Sequence, residues 1–300
     1  MSRLIFGIIF IVIVITGFLG AMSWPCEDAV LTFNFGANIR GKPVLGMVFG
    51  GGTEVVAAES GEVIFSRSGN GAQTELAASR LPSPLGAWMA VDHGDGLISI
   101  YSRYADDVPS HTQVQRASHV GKEQPIALCG ISGWSTQNGF YFMIFDRRER
   151  RWINPAMIIT PMQDTRPPQI LSVELRNMQG NTVNSRNFTQ GRYTVLVNAS
   201  GGTVNLPRGV MPASQHAPHR IVCSVNGSEV GSLSFEAVSA RDGILMVSRN
   251  GLVPARQVYA NFPAFEAAEV FLTRGQVTLE VIVQDINGVS RSVINRLVVN

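Results

Sequence analysis

Charged residues are scarce in this chain of 300 residues. Asp, Glu, Lys and Arg make up 15% of it, and the formal net charge is only +2. This near-neutral balance excludes the strongly basic surface of a nucleic-acid-binding protein, so we expect no nucleic-acid partner. The hydrophobic content of 45% excludes a disordered chain and permits sizeable cores. No internal repeat or low-complexity tract is visible.

Cysteine is also sparse, with three residues at Cys26, Cys129 and Cys223. The odd number and the lack of a CxxC pair give no signal for zinc or redox chemistry. Cys129 and Cys223 lie in apolar, strand-like segments and are predicted to be buried thiols. The sequence does not determine the disulfide state of Cys26, Cys129 or Cys223. Cys26 is a poor lipoprotein cysteine because Pro25 precedes it.

A long apolar run lies at the N terminus, where Arg3 precedes residues 4–22. The small-x-small triplet at residues 21–23 predicts a signal peptide over residues 1–23, cleaved before Trp24. The run is also long enough to span a bilayer, so an uncleaved membrane anchor is the alternative. In either case we expect an exported protein in the periplasm or cell envelope, where disulfides can form.

Strand signals dominate the remaining chain, as short β-branched or aromatic runs separated by Gly, Asn, Asp and Pro. They predict a mainly β protein with a first domain over residues 24–160. A proline cluster over residues 161–168 predicts a linker. Alternating segments in residues 169–300 predict an antiparallel, Ig-like β-sandwich. An irregular or helical insertion is expected around residues 200–270.

The best helical candidate is Pro254–Phe271, where apolar residues recur at three-to-four spacing. Pro263 is a helix breaker inside it.

Short motifs follow one another in a fixed order through the first domain. Those that carry the pattern are Asn34–Gly36 (NFG), Gly41–Pro43 (GKP), Gly52–Ala57 (GTEVVA), Gly61–Val63 (GEV), Val91–Tyr101 (VDHGDGLISIY), Gly130–Thr136 (GISGWST), Phe140–Ile144 (FYFMI) and Ile153–Pro155 (INP). In this order they resemble the M23 peptidase domain, also called LytM or duplicated hybrid motif. The resemblance spans residues of about 33–155 and implies a LytM-type antiparallel β domain.

The metal-binding residues of that family are missing. Active members hold zinc with the histidine and aspartate of H-x-G-x-D and the second histidine of H-x-H. With Gly46 aligned to the glycine of H-x-G-x-D, the three zinc-ligand positions fall at Val44, Val48 and Phe142. The two other catalytic histidines of the family fall at Arg103 and Phe140. Valine and phenylalanine carry no zinc donor. Without the metal, bound water does not ionise at neutral pH. The resemblance therefore implies no cofactor and no catalytic residue.

The chain has five histidines, and none lies in either metal-binding segment: His93, His111, His119, His216 and His219. His93 is expected to be structural and bonded to backbone beside a hairpin. His111 and His119 are expected to be solvated. Pro218 prevents a helix that would bring His216 and His219 onto one face, so no metal site is expected there.

Two further features are candidates for binding. Arg147–Arg151 (RRERR) is predicted to be a solvated hairpin tip, with a basic patch for anionic lipid or wall polymers as the alternative. Trp88, Trp134 and Trp152 are core or groove residues. Trp134 borders the family's substrate groove, where an exposed ring would stack on a glycan or peptide.

The resemblance implies a non-catalytic cell-envelope protein that binds peptidoglycan or regulates a cell-wall hydrolase, because catalytically dead LytM domains act as amidase activators. The predicted groove comprises Val44, Val48, Arg103, Trp134, Phe140 and Phe142. One alternative is an active zinc endopeptidase that cleaves peptidoglycan cross-links. The other is a structural or adhesive module, and an uncleaved leader would add contact with the membrane through residues 4–22.

Overall fold

The structure of the protein, a computed structural model, describes residues 21–67, 83–106, 118–159, 167–183, 187–202 and 216–300. The first twenty residues of the predicted leader, His111 and most of the predicted linker lie outside the described residues. Within these ranges, no helix is long and apolar enough to cross a membrane.

The N-terminal half is built from short strands that end at glycine-rich turns. They are β1 (Ala29–Phe33), β2 (Asn38–Ile39), β3 (Lys42–Pro43), β4 (Met47–Gly51), β5 (Glu54–Val56), β6 (Gly61–Arg67), β7 (Ala87–Asp92), β8 (Leu97–Tyr104), β9 (His119–Val120), β10 (Pro125–Leu128), β11 (Gly139–Asp146) and β12 (Arg151–Ile153). A single 3₁₀ turn, Pro155–Met157, follows β12, and the Asn154 side chain accepts a hydrogen bond from the Ala156 backbone N–H to cap it.

The C-terminal half contains longer strands with alternating buried and exposed side chains. They are β13 (Gln169–Asn177), β14 (Thr182–Val183), β15 (Asn187–Phe188), β16 (Gly191–Ser200), β17 (Arg220–Val225), β18 (Ser228–Arg241), β19 (Ile244–Arg249), β20 (Leu252–Pro254), β21 (Phe265–Leu272), β22 (Gly275–Gln284) and β23 (Ser290–Val299). One helical turn, α1 (Ala255–Val258), follows β20. The predicted mainly β fold is confirmed.

The two halves share one sheet. Its strand order is β15-β23-β22-β17-β18-β12-β11-β8-β7-β6-β9, and β12 of the N-terminal half pairs with β18 of the C-terminal half. Trp152 lies opposite Val238 in this pairing. A second sheet, β14-β13-β16-β21, packs against the C-terminal part and encloses its core.

Side chains also cross between the halves. Phe35, from the N-terminal half, is fully buried in the C-terminal core. The neighbouring Asn34 side chain donates to the Ala217 carbonyl and accepts from the Ala217 N–H, both at 2.8 Å. The Tyr259 hydroxyl donates to the Gly36 carbonyl at 2.7 Å. These contacts hold the two halves together beyond the shared strand pairing.

The helical prediction for Pro254–Phe271 is wrong after Val258. The helix ends within one turn, as Pro263 leads us to expect, and β21 begins at Phe265. The β21 side chains that pack into the sandwich core are Phe265, Ala267, Ala268, Val270 and Leu272. They follow strand alternation with one register shift in the pairing to β16, and not helical spacing. The expected irregular or helical insertion is likewise wrong over residues 220–254 and 265–272, which form strands β17 to β21 and their turns, whereas residues 255–264 are the helical turn and the irregular segment after it.

Candidate functional site

Strand β11 lies between β4 and β8 in the centre of the N-terminal half. Its side chains alternate between the two faces of the sheet because the side-chain period of a strand is two. Phe140 and Phe142 point to one face, and Tyr141 and Met143 point to the other; all four are buried. The residues that correspond to the family's zinc ligands must lie together on one of these two faces.

The Phe142 face is a closed hydrophobic core. Met47 and Phe49 of β4 lie directly opposite Phe142 and Phe140. The rings of Phe49 and Phe140 stack at 4.7 Å between centroids, and the Tyr101 ring lies 5.2 Å from that of Phe142. The N-terminal segment around Met22 and Leu31 packs against the same core. No ligand can reach this face without unpacking it.

The Tyr141 face carries the other predicted positions. Val44 and Val48 pack here with Tyr141, Met143 and Ile100. Val48 is the cross-strand partner of Tyr141, and Ile100 of β8 is the partner of Met143. The five side chains thus form one apolar cluster across β11, β8, β4 and the segment that precedes β4.

The chain passes very close to β11 between Val44 and Val48. A Cβ atom at Gly46 would lie 2.1 Å from the Phe142 carbonyl oxygen, so only glycine fits there. This approach presses Val44 and Val48 onto the Tyr141 face.

Phe140 and Phe142 therefore do not share a surface with Val44 and Val48, and the predicted groove is corrected. We infer that Tyr141 and Met143 occupy the H-x-H positions of the family. These positions differ by one residue along β11 from those that the sequence predicts, and a shift of one residue turns every side chain of a strand to the opposite face.

Arg103 joins the Tyr141 face from the end of β8. Its guanidinium carbon lies 5.0 Å from the centroid of the Tyr141 ring, a cation–π contact. Burial lowers the pKa of Arg103, and burial raises the pKa of Tyr141 to about 12. The Arg103 Nε atom is buried and makes no hydrogen bond within the described residues. The backbone of Arg103 is in the left-handed region, at φ 64°.

Trp134 lies at the rim of this face. The carbonyl of Leu85 accepts a hydrogen bond from the Arg103 backbone N–H at 2.9 Å, and the carbonyl of Pro84 accepts one from the Trp134 N–H at 3.1 Å. Residues 84–85 therefore link the turn of Trp134 to Arg103. Trp134 is 73% exposed, and the neighbouring Ile131 is 61% exposed. Trp134 and Ile131 therefore form an apolar, solvent-facing edge beside the Arg103 cation.

The side chains on the Tyr141 face do not fit a zinc ion. Zinc in proteins takes imidazole nitrogen, thiolate sulfur or carboxylate oxygen. Val44 and Val48 offer no donor, and the thioether of Met143 is not among these ligands. The Tyr141 hydroxyl already accepts a hydrogen bond from the Leu45 N–H at 2.9 Å. Among the residues that the structure describes, no group of three His, Cys, Asp or Glu side chains could hold a metal ion.

The sequence of the N-terminal half agrees with this geometry. Residues 45–155 match the model of Peptidase family M23. The chain contains an M23 domain. Residues 167–300 match a second family model, which carries no description. No curated protein matches the chain.

Several solved structures are similar to the M23 domain. The SpoIIQ–SpoIIIAH pore forming complex matches at 19% identity, covering 47% of this chain and 92% of that chain, with a TM-score of 0.36. The catalytic domain of the prophage-encoded M23 protein EnpA from Enterococcus faecalis matches at 18% identity, 45% and 94% coverage and a TM-score of 0.33. The catalytic domain of lysostaphin from Staphylococcus simulans matches at 21% identity, covering 38% of this chain and 77% of that chain, with a TM-score of 0.27.

The other candidate residues lie away from the Tyr141 face. The His93 ring bonds to the Ser60 carbonyl at 2.8 Å and to the Ser99 hydroxyl at 2.9 Å, which confirms its predicted structural role. Arg147–Arg151 is exposed at the hairpin between β11 and β12, as predicted. His216 and His219 are buried or half-buried at the contact between the halves, where burial lowers the pKa of each imidazole.

Proposed function

We propose that this protein is a non-catalytic component of the cell envelope, and that its M23 domain binds peptidoglycan or regulates a cell-wall hydrolase. The single observation that carries the proposal is the side-chain set at the family's catalytic face. Valine, methionine, tyrosine and arginine replace every zinc ligand and catalytic histidine there. A zinc-bound hydroxide cannot form on such a set.

Binding is supported by the edge that joins Trp134, residues 84–85 and Arg103. An exposed indole offers a flat apolar surface on which a sugar ring or a peptide can stack. Arg103 can add charge-assisted hydrogen bonds to a carboxylate, a group that occurs in wall peptides. The Tyr141 face beneath is packed, so the ligand would lie across the edge rather than within a deep cleft.

The proposal is tested by retention of the purified protein on insoluble peptidoglycan at physiological salt. We expect Trp134→Ala to weaken binding at least about tenfold, as the loss of a central aromatic contact does. Phe271→Ala is the matched control, since Phe271 is an aromatic side chain with 55% exposure in the other half of the molecule. If the wild-type protein is not retained, direct wall binding is wrong, and the regulatory arm is tested by adding the protein to a wall hydrolase and following the turbidity of wall suspensions.

The alternative of an active zinc peptidase is tested on the same preparation. We expect less than stoichiometric zinc by elemental analysis and no lysis of walls. One tightly bound zinc per chain, together with lysis that a chelator abolishes, would overturn the proposal.

A structural module is the second candidate, and the shared sheet favours it. Strands β12 and β18 join the two halves, and Phe35 and Asn34 tie them further. A rigid body of this kind suits a spacer or assembly subunit. Under this function, neither Trp134→Ala nor Phe271→Ala changes retention on peptidoglycan.

A further inference from the structure

Cys26 and Cys129 meet although more than a hundred residues of sequence separate them. Cys26 lies just before β1, and Cys129 directly follows β10. The neighbouring Cys129 thiol lowers the pKa of Cys26, and Cys26 in turn raises the pKa of Cys129. Both sulfur atoms also lie against Gly52, where an added Cβ atom would be 2.8 Å from the Cys26 sulfur and 3.1 Å from the Cys129 sulfur. A side chain at Gly52 would separate the two thiols.

Asp28 holds this arrangement in place. The Cys26 thiol donates to Asp28 Oδ1 at 3.0 Å. The same carboxylate accepts from the Thr53 N–H at 3.2 Å and from the Thr53 hydroxyl at 2.9 Å. The Cys129 N–H donates to the Thr53 carbonyl at 3.0 Å, so Thr53 is bonded to the segments that carry both cysteines. The pair is positioned by four separate hydrogen bonds.

We propose that Cys26 and Cys129 form a disulfide that ties the N-terminal segment to the M23 domain. The bridge would anchor residues 24–33, whose Trp24 and Leu31 side chains pack on the closed core of that domain. Cys223 is fully buried in the other half and does not take part. The inference is independent of what the M23 domain binds.

The oxidation is a thiol–disulfide exchange with a disulfide oxidant, such as oxidised glutathione or a disulfide oxidoreductase. Cys129 is the partly exposed member and Cys26 is buried, so the oxidant first forms a mixed disulfide with Cys129 and releases one thiol. The Cys26 thiolate then attacks the Cys129 sulfur, which forms the bridge and releases the second thiol. The two cysteines lose two electrons and two protons, and the oxidant gains both. The neighbouring Cys129 thiol lowers the pKa of Cys26 in the reduced pair.

The test is to equilibrate the full chain in a buffer of oxidised and reduced glutathione, denature it, alkylate free thiols and map the peptides by mass spectrometry without reduction. Of the three cysteines, we expect one alkylated thiol, at Cys223, and one linked peptide pair containing Cys26 and Cys129. Dithiothreitol should expose all three and lower the thermal midpoint by roughly 5–10 °C, because a long loop is no longer closed.

Cys129→Ser should remove both the linked peptide and the effect of dithiothreitol on the midpoint. Cys223→Ser is the matched control and should retain both. The proposal is overturned if the oxidised wild-type chain keeps three free thiols or if Cys223 appears in the linked pair. The peptide map of the wild type decides the question even where a serine variant does not fold.

Discussion

The guanidinium of Arg103 lies over the ring of Tyr141, with 5.0 Å between its central carbon and the ring centroid. By the corrected register, we infer that these two residues stand where the M23 family has its two catalytic histidines. The pair is a cation packed on an aromatic ring. The contact stabilises the face and leaves it without a base.

The Arg103 backbone provides a first prediction. Arg103→Ala loses the cation–π contact, at about 0.5–1 kcal/mol, and keeps a left-handed conformation that strains any residue with a Cβ. Arg103→Gly loses the same contact but relieves about 1 kcal/mol of strain. We expect the glycine variant to unfold at a higher denaturant concentration than the alanine variant. The usual order, with alanine more stable, would contradict the geometry.

The register of β11 leads to a second prediction. A variant with Val44→His, Val48→Asp and Met143→His should bind zinc, because the three new donors share one face. Its thermal midpoint should rise when zinc is added. The matched control carries Val44→His, Val48→Asp and Phe142→His. Its third imidazole is buried on the opposite face of the sheet. Equal zinc binding by both variants, measured by elemental analysis, would refute the corrected register.

Phe35 provides a third prediction about how the halves are joined. Phe35→Ala leaves a cavity in the core of the C-terminal half and should lower the free energy of unfolding by about 3–5 kcal/mol. Because the halves share a sheet, calorimetry should show one transition that shifts as a whole. The exposed Phe271→Ala is expected to change stability by less than about 0.5 kcal/mol. Two separate transitions, with only one displaced, would show that the halves unfold independently.

The fourth prediction concerns pH. Burial lowers the pKa of His216 in the folded protein below its value in the unfolded chain, about 6.5. The unfolded chain therefore binds the proton first as the pH falls. The contribution of His216 to stability is complete above pH of about 6.5 and is progressively lost below it.

We expect the thermal midpoint to fall between pH of about 6.5 and 5, and His216→Gln to flatten this slope. The exposed His119→Gln is the control and should leave the slope unchanged. An unchanged slope in the His216 variant would assign the effect to other groups, such as His219, whose pKa is also lowered by burial.

Much of the fold could be predicted from local pattern. Alternating apolar residues correctly indicated strands in both halves, because burial of one sheet face needs a period of two. The helix over Pro254–Phe271 failed because its apolar residues satisfy helical spacing for one turn and strand alternation afterwards. The second part of that segment forms strand β21 because it pairs with the neighbouring strand β16.

Local sequence pattern predicted less of the candidate site than of the fold. Phe140-x-Phe142 and Tyr141-x-Met143 are both apolar pairs, so no sequence signal distinguishes the face that carries the old metal site. Leu85 was also missed, because its role is a backbone carbonyl that receives the Arg103 N–H. Such a contact joins distant segments and depends on no side-chain identity.

The sequence by itself determined the mainly β fold, the M23 resemblance and the lack of zinc donors, since these follow from residue types and from spacing within short segments. Only the tertiary structure decided that Val44, Val48, Tyr141 and Met143 share one face, that Phe140 and Phe142 lie in a closed core, and that Cys26 meets Cys129. These facts depend on strand register and on contacts between distant segments. Register changes the face of every side chain while leaving the residue pattern the same.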